Sequence, residues 1–235
     1  MRSGRIAAAV VIVGVGIGLS GCSEPALSND QYLALVQVGD QIGERDDPGA
    51  VWDPLMVSQR IEMGVLLQGL LENWVEYGFP DECFESYAIS VGAASDGQQS
   101  DDPATQIALF NSAGEVGNHI TVGSRTFDSA ADAAAFLDRL PEIFAGCPDG
   151  FIFDGLQVGD GGFLVDEIDA PDGTRIVRID GGAIPEGISS RTILIQRGRD
   201  VVIIDAFLGF STLDLGEIDA YGLVLAERLA AIPRG

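Results

Sequence analysis

The chain has 235 residues, with 13 arginines, no lysine and 36 acidic residues, for a formal charge of −23. That balance excludes a nucleic-acid binder and a polybasic attachment to anionic lipid, both of which need clustered Lys/Arg. An apolar share of 46% excludes a disordered acidic tail, and the length suffices for one large domain or two small ones.

The N-terminus reads as an address. Arg2 and Arg5 precede an uncharged apolar run, Ile6 to Leu19, of 14 residues. That is the length of a signal h-region and short for a transmembrane helix. The run ends in Leu19-Ser20-Gly21-Cys22, which resembles a bacterial lipobox. The resemblance implies cleavage before Cys22 and a diacylglycerol thioether on its sulfur. Residues 1–21 are then signal peptide, 22–28 a tether, and 29–235 an extracytoplasmic domain; the loss of two arginines leaves residues 22–235 with a charge of −25. Gly16, Gly18 and Gly21 formally match a dinucleotide fingerprint. Cys22-Ser23-Glu24-Pro25 is a poor helix start, so no cofactor is expected from it.

Ser28 is placed to cap a helix over 29–38 with Leu33, Val36 and Tyr32 on one face. Residues 39–54, rich in Gly, Asp and Pro, read as loop and contain Trp52, which either lines a groove or packs over a sheet edge. Apolar residues at three- and four-residue steps predict a helix from Met56 to Tyr77, with Trp74 in the core. Cys83 follows, with a short helix as one reading of its surroundings, and residues 86–91 read as a strand. After a polar acidic loop, 92–103, strands are expected over 106–110 and 118–127, joined by Asn111 to Gly114. Asp128 or Ser129 caps a helix that buries Ala133, Leu137 and Leu140, with Phe136 nearby. Pro141 kinks it or starts a new turn, and the helix stops near Gly146-Cys147.

The remainder reads as an antiparallel meander. Residues 163–168 and 174–179 flank the turn Ala170 to Gly173, and residues 191–197 and 201–207 flank Gly198 to Asp200. Asp214, with Glu217 three residues on, caps a last helix carrying Ile218, Tyr221, Leu225, Leu229 and Ile232. Pro233 ends it. The expected class is α+β: one domain, an antiparallel sheet packed against helices, with one disulfide.

With Cys22 lipidated, Cys83 and Cys147 remain as an even pair, for which a disulfide is the simplest reading. Two separate buried thiols are the alternative. Neither has a CxxC partner or a nearby histidine, which argues against redox or zinc chemistry.

The block Ile120-Thr-Val-Gly-Ser-Arg-Thr-Phe127, the helix Ala130 to Leu140 and Phe144-Ala-Gly-Cys147 are similar to the extracellular sensor domain of mycobacterial PknH-type kinases. Actinobacterial lipoproteins that carry that domain share the likeness. The lipobox, the cysteine pair and the 191–207 hairpin with the terminal helix extend it. The resemblance implies a sheet with packed helices, a solvent-open cleft and a non-catalytic role in sensing or ligand binding. The chain departs from the group in having one candidate disulfide where two are usual. No ligand-contacting residue carries across.

His119, the only histidine, would have to be the base of any Ser-His-Asp triad, yet no Gly-x-Ser-x-Gly elbow occurs. It reads as a strand-edge residue. Asp166, Asp169 and Asp172 have the wrong spacing for an EF-hand and read as a solvated turn. Asp205 interrupts an apolar strand. It either stands beside a pocket or, the favoured reading, pairs with Arg191, Arg197 or Arg199 across the hairpin. No catalytic residue, metal or cofactor is expected. The function expected is a lipid-anchored sensor or ligand-binding lipoprotein on the extracytoplasmic face of the cell membrane, without catalysis. Its partners are the membrane, through Cys22, and an unidentified small ligand or envelope protein. The alternatives are an envelope hydrolase using acidic residues and a carrier of a hydrophobic ligand.

Overall fold

The computed structural model describes residues 27–28, 31, 34–35, 52–56, 72, 76, 83–90, 106–112, 119–146, 152–153, 156–157, 163–181, 188–209 and 215–233. In chain order the elements are β1 (Trp52–Met56), α1 (Phe84–Ser90), β2 (Gln106–Ser112), β3 (His119–Thr126) and α2 (Ala130–Ala145). There follow β4 (Ile152–Phe153), β5 (Leu156–Gln157), β6 (Leu164–Ile168), β7 (Arg175–Asp180), β8 (Ile188–Arg197), β9 (Asp200–Gly209) and α3 (Leu215–Ala231).

Among the described residues seven strands form one antiparallel sheet in the order β1-β2-β3-β9-β8-β7-β6, and β4 pairs with β5 separately. The sheet is two meanders, β1 to β3 and β6 to β9, zipped together along β3 and β9 from His119 opposite Phe207 to Thr126 opposite Asp200. The expected α+β class and the expected meander hold. Gly173 and Gly198 adopt φ of 78° and 56° at the two hairpin turns, the left-handed backbone that a tight turn asks of a residue without Cβ.

Helices cover both faces. On one, α3 buries Ile218, Tyr221, Leu225 and Leu229 against Ile193, Ile195, Val202 and Ile204. On the other, α2 buries Phe136, Leu137, Leu140 and Phe144 against Leu194, Val201 and Ile203, with Ile89 of α1 in the same cluster. Both sides being covered, Val201 to Ile204 need no polar alternation, and each is fully buried. At Gly222 α3 lies tight against the sheet, since a Cβ there would meet the Ile193 Cδ1 at 2.9 Å. Ser129 caps α2, its hydroxyl accepting from the Asp132 amide at 3.1 Å. The helix runs on through Pro141 to Ala145.

Some expectations are corrected. Trp52, Asp53 and Pro54, read as loop, form β1, and Met56, read as the first residue of a helix, ends that strand. Proline suits an edge position because an edge strand has amides that no neighbour needs. Residues 86–91, read as a strand, lie largely in the helix α1. Cys83, Ser86 and Ile89 are buried at three-residue steps, a period that seven residues are too few to reveal. Asn111 and Ser112, expected in a turn, extend β2. Leu35 is buried in the first helical stretch; Tyr32, Leu33 and Val36 lie outside the described residues, as do Trp74, Asp214 and the loop 92–103. Among the described residues no helix is long and apolar enough to cross a membrane.

Candidate functional site

The strand register sorts the polar side chains of the sheet by face. In the β8–β9 hairpin, Thr192 stands opposite Asp205 and Arg191 opposite Ala206. Residues paired across a ladder share a face and neighbours in sequence do not. Thr192 and Asp205 therefore lie on the α2 side, and Arg191 and Arg197 on the α3 side.

This overturns the expected pairing of Asp205 with an arginine of the hairpin. The Asp205 carboxylate accepts a hydrogen bond from the Thr192 hydroxyl at 2.8 Å. Arg191 and Arg197 are excluded by parity: both sit one residue out of step, with the sheet between them and the acid. Burial pushes the Asp205 carboxyl up to about 7, opposed in part by the Thr192 hydrogen bond. It is thus a buried acid that changes charge near neutral pH.

The arginines serve α3 instead. Arg191 donates to Asp180 at 2.6 Å, to Asp219 at 2.6 Å and to the Leu215 carbonyl at 2.9 Å. Arg178 donates to Asp166 at 2.6 Å and to the same Asp219 oxygen at 3.1 Å. Two guanidiniums and three carboxylates thus tie β6, β7 and β8 to the N-terminal half of α3. The hydrogen bond that Arg178 donates to Asp166, then the charges of Asp166, Asp219 and Asp180, hold Arg178 more firmly in its cationic form. At the other end Arg197 donates to the Leu229 and Ile232 carbonyls, closing the C-terminus of α3. Sequence reasoning missed this network. The Ala170–Gly173 turn would have set Asp166 opposite Arg178, but the β7–β8 connection offered no register for Asp180 and Arg191.

Asp166, read as part of a solvated acidic turn, is held by Arg178, while Asp169 and Asp172 are exposed. No group of His, Cys, Asp and Glu suited to a metal occurs among the described residues. His119 is the first residue of β3. Cys83, immediately before α1, is fully buried. Cys22 and Cys147 lie outside the described residues.

The N-terminal segment joins the α3 side. Leu27 packs against that cluster and Leu35 is buried in it. Ser28 and Gln31 form a reciprocal cap: the Gln31 amide donates to the Ser28 hydroxyl at 3.2 Å and the Ser28 amide to the Gln31 side chain at 2.9 Å. Arg228 of α3 donates to the Leu35 carbonyl at 3.0 Å. The last two positions of the expected tether, 27 and 28, therefore already make contacts with the fold.

No family model matches the chain, and no curated protein matches it. Among solved structures it is similar to the extracellular domain of PknH from Mycobacterium tuberculosis, at 13% identity and a TM-score of 0.38. The match covers 55% of this chain and 64% of that one, so the chain spans just under two thirds of that domain. A likeness at this level assigns neither ligand nor activity.

Proposed function

We propose that this chain is a lipid-anchored extracytoplasmic lipoprotein that senses or binds a ligand without catalysis of its own. The observation that carries the reading is the position of Cys22. It ends an export-type segment, and Leu27, five residues on, already packs against the core. Such a layout suits a folded domain hung from a lipid. The acidic surface suits solubility beside a membrane.

A disulfide at Cys83 belongs to the same reading, because disulfides persist outside the reducing cytoplasm. We assign Cys147 as the partner of Cys83. It follows Gly146, the C-cap of α2, and α2 shares a core with α1, where Glu85 meets Arg139 at 3.4 Å. Cys83→Ser and Cys147→Ser should each lower stability by about 2–4 kcal/mol. The double variant should lose no more than either single one. Additive losses in denaturant melts would refute the pairing.

The anchor is tested by substitution. Cys22→Ser should move the protein from the membrane fraction, where the native chain sediments, to an unprocessed or soluble form. Unchanged membrane association and unchanged mass would refute lipidation.

A further inference from the structure

Leu164, 61% exposed, and Leu223, 38% exposed, are the exposed large apolar side chains among the described residues. They lie on the same side of the sheet. Leu164 stands two and four positions from Asp166 and Ile168, and Ile168 packs into the α3 cluster. Leu223 is on the outer surface of α3. Leu27 and Leu35 pack on this side too, so the chain leaves toward Cys22 from the side that carries both exposed leucines.

Charge distinguishes the outer surfaces of the two covering helices in the same sense. The exposed positions of α3 are Gly216, Ala220, Leu223, Glu227 and Ala231, with a single acid. The outer surface of α2 exposes Asp132, Asp138 and Glu142 against Arg139 alone.

We propose that the α3 side rests on the bilayer that holds the Cys22 lipid, with the α2 side turned away from it. The proposal rests on the lipidation of Cys22. Leu27 lies five residues after Cys22, and that span fully extended reaches at most roughly 17 Å. A domain of this size is roughly 40 Å across. The tether is thus too short for the α2 side to swing onto the membrane while Leu27 stays packed. Beside an anionic surface the face with fewest outward carboxylates meets least repulsion, and within a Debye length of ~8 Å that difference is felt. Leu164 and Leu223 then meet headgroups and upper acyl chains rather than water.

The test uses full-length lipidated protein in vesicles of phosphatidylethanolamine and phosphatidylglycerol that contain a nitroxide-headgroup lipid. A fluorophore is attached through Leu223→Cys, through Ala220→Cys as a second site on the same face, or through Glu142→Cys on α2. Quenching at 223 and 220 should exceed that at 142 several-fold. Equal quenching at all three sites, or stronger quenching at 142, in protein that floats with the vesicles overturns the docking and leaves the anchor standing. Protein that does not float removes the anchor and the docking together.

Discussion

Arg191→Met should destabilise the fold by about 2–4 kcal/mol, seen as a lower urea midpoint with an unchanged slope. Arg191 is 9% exposed, and it meets two carboxylates that are about a quarter exposed. Methionine preserves much of the side chain's volume but removes all three donated bonds. Asp180 and Asp219 are then left close together, with Arg178 as their remaining cation, and like charges in a half-buried site repel. The partial exposure of the carboxylates keeps the cost below that of a fully enclosed pair. Arg191→Lys should lose less, about 1–2 kcal/mol, because one ammonium cannot reach Asp180, Asp219 and the Leu215 carbonyl together. A loss below 0.5 kcal/mol for the methionine variant would show that α3 is held by its apolar face alone.

Asp205→Asn has the opposite sign. Folding raises the Asp205 carboxyl from its ordinary value near 4 to about 7. Between those values the folded chain holds a proton that the unfolded chain has released. Stability from this group is therefore greatest below pH 4 and falls as pH rises to 7, by about 1.4 kcal/mol per unit at most. Asparagine keeps an acceptor for the Thr192 hydroxyl and carries no charge to bury. The variant should match the native chain near pH 4 and exceed it by about 2–4 kcal/mol above pH 7. The other acids act on both proteins alike, so the difference between the two pH curves isolates Asp205. Parallel curves would contradict a buried, titrating acid.

The elements that were legible in the sequence had either length or a demanding turn. In α2 and α3 the apolar steps run over 16 and 17 residues, and the core residues expected there are buried or packed against it. The hairpins around Gly173 and Gly198 were announced by residues that tolerate a positive φ. What escaped was short or depended on register. Pro54 disguised an edge strand as loop, and α1 is shorter than the period needed to identify it. Alternation placed Asp205 with Val201 and Ile203 correctly. The partner was misread because the two-residue turn fixes which face each arginine takes, and a shift of one residue exchanges Arg191 for Thr192. The Arg178–Arg191 network needed the registers of two hairpins and the docking of a helix at once.

The most direct measurement of the central claim is the intact mass of the chain extracted from the membrane of its own cell. The account predicts a chain that begins at Cys22, carries a diacylglycerol adduct and gains two hydrogens on reduction. A chain that begins at Met1, or one that begins at Cys22 without lipid, would contradict it.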